Sequence, residues 1–123
     1  MRHDDVYELY QRGCALAAAG SHMAAATVLQ RACAAEPEKA SIRCELGRAL
    51  FRSRRFREAA DAFAAVVESN PADHYAHYGL GLARSRLGDL VSAGAHLKIA
   101  CAMRPDLDGY ADALAALDRR LGA

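Results

Sequence analysis

Three prolines, Pro37, Pro71 and Pro105, stand 34 residues apart, and the chain has no others. A fixed period of this length signals a solenoid, in which one supersecondary unit is stacked several times. Four further positions keep the same register. Gly13, Gly47 and Gly81 form one set, and Ala25, Ala59 and Ala93 another. Leu29, Phe63 and Leu97 are always large and apolar, whereas Ala32, Val66 and Ala100 are small and apolar. The residue types carry a physical meaning. A glycine on one helix and an alanine on its neighbour allow the two to approach closely, and the large residue four positions after the alanine fills the space between them. Each proline stops the helix before it, because the residue preceding proline avoids the α region.

Each unit divides into two helices. The first unit predicts helices from about Val6 to Ala19 and from His22 to Ala35, turning at Gly20-Ser21. The second predicts Ala40 to Ser53 and Phe56 to Ser69, turning at Arg54-Arg55 without a glycine. The third predicts His74 to Leu87 and Leu90 to Met103, turning at Gly88-Asp89. Asp73 and Asp106 are the expected N-caps of the helices that follow them. A seventh helix over about 107–121 carries an apolar stripe of Leu107, Tyr110, Ala111, Leu114, Leu117 and Leu121 at helical spacing. The expected organisation is one all-α domain over 1–123, with repeats at about 6–39, 40–73 and 74–107 and a capping helix at about 107–121.

Composition agrees. The chain has 123 residues, about a quarter of them alanine, with 53% hydrophobic and 25% charged residues. Such a balance supports a folded core and favours helix over strand. Fourteen arginines against two lysines point to a coding bias of a GC-rich bacterial genome. Sixteen basic and fifteen acidic residues leave a net charge of +1, which does not favour an extended nucleic-acid footprint. No apolar run approaches the roughly 20 residues needed to span a bilayer, and no secretory signal follows Met-Arg-His-Asp-Asp. The expectation is a cytoplasmic protein without a membrane partner, its cysteines 14, 33, 44 and 101 reduced.

These residues resemble the tetratricopeptide repeat family, a 34-residue helix-turn-helix repeat. Gly13, Ala25, Leu29, Ala32 and Pro37 match its pattern; so do Leu46, Gly47, Ala59, Phe63 and Pro71, and Leu80, Gly81, Gly88, Ala93, Leu97, Ala100 and Pro105. The resemblance spans about residues 6–107. It departs where the family has an aromatic residue near each repeat start, here Leu9, Arg43 and His77, and at Arg12, where a leucine is expected. It implies a right-handed α-solenoid whose first helices line a concave groove that holds a partner's peptide or helix. Projected onto that groove are Tyr7, Tyr10 and Cys14, then Cys44, Arg48 and Arg52, then Tyr75, Tyr78, Leu82 and Arg86. Tyrosine offers rigid apolar area with a polar tip. The arginines can take carboxylates bidentately, so an acidic protein segment is the expected partner. One subtype of the family grips a C-terminal carboxylate with Lys, Asn and Arg; the matching positions here hold Tyr10, Cys14, Glu45, Tyr75 and Gly79, which argues against that clamp. The run from Tyr78 to Ala83 is similar to small three-repeat chaperones of bacterial secretion systems.

Other chemistry finds little support. His74 and His77 share a helix face, but no C-x-x-C is present and the cysteine spacings match no zinc module, so no metal or cofactor is expected. Phosphate loops, dinucleotide fingerprints and nucleophile elbows are missing, and no enzyme activity is expected. The sequence reading is therefore a non-catalytic interaction module, adaptor or chaperone-like, existing as monomer or weak homodimer. Its alternatives are a structural subunit that docks through outer or C-terminal helices, and a weak nucleic-acid binder using the arginines between 43 and 57.

Overall fold

The computed structural model describes residues 2–122, His3 by its backbone alone, so the outer bounds expected at 1 and 123 fall outside the described residues. Seven α-helices follow one another: α1 His3–Ala18, α2 His22–Ala35, α3 Ala40–Arg52, α4 Phe56–Ser69, α5 His74–Arg86, α6 Leu90–Met103 and α7 Asp108–Arg120. Three of them match the expected limits, and the others differ by one to three residues. Asp73 caps α5, its Oδ1 accepting from the Ala76 N–H at 3.0 Å. Asp106 does not cap α7. Its carboxylate is instead held by the Arg104 guanidinium through two bonds of 2.9 and 2.8 Å, and Leu107 occupies the N-cap position. Asp89 supplies a cap at α6 instead, accepting from the Ser92 N–H at 3.3 Å.

Neighbouring helices pack in chain order, α1 on α2 through α6 on α7. The odd helices α1, α3, α5 and α7 also touch one another in sequence, while among the described residues no two even helices do. The odd row is therefore the inner layer of a curved stack and the even row the splayed outer one.

Inside each hairpin the register does the steric work the sequence implied. A Cβ built on Gly13 would stand 2.5 Å from Leu29 Cγ, one on Gly47 2.8 Å from Phe63 Cζ, and one on Gly81 2.8 Å from Leu97 Cγ. No side chain fits, and Ala25, Ala59 and Ala93 opposite are completely buried. Burying each of the large residues stabilises the hairpin by roughly 1.5–3 kcal/mol. One period beyond Gly81 the register falls on Ala115, exposed on α7; among the described residues α7 packs only on α5 and α6.

Two of the departures at the repeat starts, Arg43 and His77, are accommodated by hydrogen bonds. Arg43 Nη2 donates to the Pro37 carbonyl at 2.8 Å, and His77 Nε2 donates to the Pro71 carbonyl at the same distance. Both tie the start of an inner helix to the loop before it. The buried His77 ring also stacks on His96, with 3.0 Å between the two Nδ1 atoms. In the neutral tautomer whose Nε2 donates to Pro71, His77 Nδ1 accepts and His96 Nδ1 carries the shared proton.

Candidate functional site: the concave groove

The inner surface is hollowed between α3 and α5. A pocket of about 420 Å³ is lined by Arg48, Phe51 and Arg52 of α3, Arg54 of the following turn, Phe56 and Phe63 of α4, and Tyr75, Tyr78, Gly79, Leu82 and Arg86 of α5. Helical spacing brings Arg48 and Arg52 to one face of α3, and Leu82 and Arg86 stand likewise on α5. Aromatic rings build the walls. Phe51 and Phe56 meet edge to face at 5.1 Å, Tyr75 meets Phe63 at 6.1 Å, and Tyr78 stacks on Tyr110 of α7 at 4.5 Å. The last contact lets the final helix hold one wall in place, reinforced by a 2.7 Å hydrogen bond between Tyr110 Oη and His74 Nδ1.

The electrostatics are one-sided. Four arginines line this pocket and no carboxylate does. None of the four forms an ion pair among the described residues. Two are held by stacking: the Arg86 guanidinium stands 5.5 Å from the Phe51 ring centre and 5.4 Å from that of Phe56, and Arg54 stands 5.7 Å from Phe56.

Arg48 and Arg52 also wall a second pocket, of about 510 Å³, between α1 and α3, with Cys14, Ala17, His22 and Glu45 among its lining residues. This half of the groove has a different character. Burial, then the neighbouring Cys14 thiol and Glu45 carboxylate, push the Tyr10 phenol up to about 12. Burial and Glu45 also raise the Cys14 thiol, against the opposing pull of a hydrogen bond from Tyr10 and the charge of Arg48. Cys44 is pushed up to about 12 by burial, helped by Asp73 and Glu45. Tyr75 is raised mainly by burial. These phenols and thiols are neutral at physiological pH, so the charge of the groove rests on Glu45 and the arginines.

The positions expected from sequence separate into three groups. Arg48, Arg52, Tyr75, Tyr78, Leu82 and Arg86 lie together around the first pocket, and Cys14 lines the second. Cys44 is buried in the core beneath them. Tyr7 and Tyr10 border a separate, smaller pocket with Val6, Glu36, Lys39, Ser41 and Ile42, and Tyr10 also hydrogen-bonds Cys14 on the groove side. Tyr7 is exposed and its hydroxyl accepts from Gln11 Nε2 at 3.0 Å. Sequence projection left out Phe51, Arg54, Phe56, Phe63 and Gly79, all of which line the first pocket. His74 and His77, considered for metal, turn to Tyr110 and to Pro71 with His96, respectively. All four cysteines are free thiols. No helix of the described residues is long and apolar enough to cross a membrane.

Stacked helical hairpins with a side-chain-lined inner groove define a helical-repeat scaffold of the kind that engages other proteins. The family model described as Tetratricopeptide repeat matches residues 10–52 and 44–108, and the chain belongs to that family. Its fold is the right-handed α-solenoid of three such hairpins with a seventh helix. No curated protein matches the sequence significantly. Among solved structures, a fragment of MamA from Desulfovibrio magneticus RS-1 is 28% identical, with a TM-score of 0.90 over 98% of this chain and 68% of that one. The first tetratricopeptide domain of Spaghetti (RPAP3), bound to the HSP90 peptide SRMEEVD, superposes with a TM-score of 0.92 at 19% identity, covering 100% of this chain and 98% of that one. The second such domain of human RPAP3, in complex with the HSP70 peptide SGPTIEEVD, gives 0.88 at 19% identity over 94% and 97%. At that identity these two likenesses concern the fold alone.

Proposed function

We propose that the protein is a non-catalytic binding module that holds an acidic segment of a partner protein in its concave groove. The observation that carries this reading is the pocket between α3 and α5, where Arg48, Arg52 and Arg86 surround an aromatic floor and no carboxylate neutralises them. Aromatic side chains supply the apolar contact, and guanidinium groups supply bidentate recognition of carboxylates. Both RPAP3 domains of like fold hold peptides, which supports the groove as the working surface. The gripping residues differ, since Tyr10, Cys14, Glu45, Tyr75 and Gly79 stand where the family's C-terminal carboxylate clamp resides. Glu45 repels a carboxylate there, and the basic pocket lies toward the C-terminal ends of α3 and α5. An adaptor or chaperone-like role in the cytoplasm fits such a module.

The test is capture of the native partner from host lysate by wild type and by Arg48→Glu with Arg52→Glu, both exposed positions. The double variant loses the partner on this reading; capture at wild-type level overturns it. A second reading, docking or self-association through the outer surface, is favoured by the exposure of Val91, Ile99 and Met103 on α6. Light scattering separates the two: a stable dimer that survives the groove substitutions supports the second.

A further inference from the structure

The turn between α3 and α4 breaks a rule that the other two hairpins obey. At the same register position the first hairpin has Gly20 at φ 87° and the third has Gly88 at φ 86°, whereas the second has Arg54 at φ 64°. Left-handed backbone is natural for glycine and disfavoured for residues with a Cβ; the usual exceptions are Asn and Asp. Nothing crowds Gly20 or Gly88, so the turn itself has no need of a side chain. Backbone strain held without local benefit points to a use for the side chain.

Its surroundings say what that use is. The Arg54 guanidinium stands over Phe56 and lines the basic pocket, with no carboxylate partner among the described residues. Its neighbour Arg55 behaves in the opposite way, closed onto Glu58 by two bonds of 2.8 and 2.6 Å. Arg86 reaches the same Phe56 ring from α5 and also packs on Phe51. A guanidinium whose face is packed on a ring keeps its in-plane N–H groups for an oxyanion, in a fixed fork.

We propose that Arg54 is a ligand-binding residue and that, with Arg86 on the Phe51–Phe56 pair, it forms a station at the lip of the groove for an oxyanion-bearing side chain, carboxylate or phosphoryl, of the bound segment. The proposal rests on the groove reading above, and its test separates the two. The protein contains no tryptophan, so fluorescence of a tryptophan probe reports binding alone. Three acetylated, amidated probes are used: Glu-Glu-Trp-Glu-Glu, its Gln counterpart, and a version with phosphoserine for glutamate. Wild type binds at least one anionic probe about tenfold more tightly than the Gln probe. Arg54→Gly melts a few degrees higher, because glycine relieves the left-handed backbone, yet binds the anionic probe several-fold more weakly. Arg54→Lys, which keeps the charge and the strain but not the fork, also binds more weakly. A phosphoserine probe that outcompetes the glutamate probe assigns the oxyanion as phosphoryl; equal or weaker binding assigns carboxylate. Wild-type affinity in Arg54→Gly, equal binding of the Gln probe, or no response to either anionic probe at millimolar concentration overturns the proposal. If Arg48→Glu with Arg52→Glu loses the native partner while Arg54→Gly keeps it, the groove reading stands and this one falls.

Discussion

The ring of Phe63 fills the space that any side chain at Gly79 would need: a Cβ there would stand 2.5 Å from its Cζ. The two belong to successive hairpins, so this contact joins the second unit to the third. The pairing is particular to this junction. The other hairpins have Leu29 and Leu97 at the Phe63 position, and Glu45 and Ala113 at the Gly79 position. The larger ring and the missing side chain go together. Gly79→Ala is expected to destabilise the fold by about 1–3 kcal/mol, the usual cost of overpacking. Adding Phe63→Leu should recover part of that loss, because it reproduces the neighbouring pairings. Urea denaturation of the two single variants and the double variant measures the coupling directly; strict additivity would show that the contact is not the cause.

Stability should fall on mild acidification through His96. Burial, His77 and the charge of Arg84 hold its pKa below the ordinary histidine value. Above about pH 6.5 both the folded and unfolded forms are neutral, and the stability is fully present. As pH falls below that value, the unfolded chain takes up a proton first, so stability declines until the folded His96 titrates too. His96→Asn retains a donor for His77 but does not titrate. Urea midpoints measured at about pH 7.5 and about pH 5.5 should differ less in this variant than in wild type.

Tyr110 ties the seventh helix to the groove wall in two ways, by stacking on Tyr78 and by its bond to His74. Tyr110→Phe keeps the first and removes the second, for an expected loss of about 1 kcal/mol. Tyr110→Ala removes both, at a cost of about 3–5 kcal/mol. Hydrogen exchange should show α7 amides losing protection first in the alanine variant, before those of α3 or α4.

Thiol labelling should rank the cysteines by burial. At mildly alkaline pH, iodoacetamide is expected to modify the half-buried Cys101 first, ahead of Cys14, which is also half-buried but whose thiol is raised by burial and by Glu45. Cys44, buried and with its thiol pushed up to about 12, should remain unmodified until the chain unfolds. Mass spectrometry of tryptic peptides over a time course checks the order.

Much of this architecture is legible in the sequence because a repeat states each steric requirement three times. Gly13, Gly47 and Gly81 declare the close crossings, and Leu29, Phe63 and Leu97 declare what fills them, so the helices follow almost to the residue. The inner face is legible where helical spacing governs it, as for Arg48 and Arg52 or Tyr78 and Leu82. Projection is loosest at the first helix: Tyr7 stands by Glu36, Lys39 and Ser41 outside the two arginine-lined pockets, whereas Tyr10 hydrogen-bonds Cys14, which walls the second of them. It fails at Arg54, because a turn residue lies on no helical face. The clue there is its register with Gly20 and Gly88, which is a statement about backbone, and only the folded structure connects it to Phe56. Asp106 shows the limit of local rules: a nearby arginine competes for the carboxylate that would have capped a helix.

Ala115 has a consequence for the length of the protein as a designable quantity. Glycine is demanded at 13, 47 and 81 because an outer helix presses a large side chain onto each. With no such helix packed on α7 among the described residues, a methyl group is tolerated at 115 and favours helix by about 1 kcal/mol over glycine. The same methyl obstructs growth. An outer helix grafted beyond α7, carrying leucine where α6 carries Leu97, would meet that methyl as Leu97 would meet a side chain at Gly81. Ala115→Gly is thus the first substitution needed to extend the groove by another hairpin.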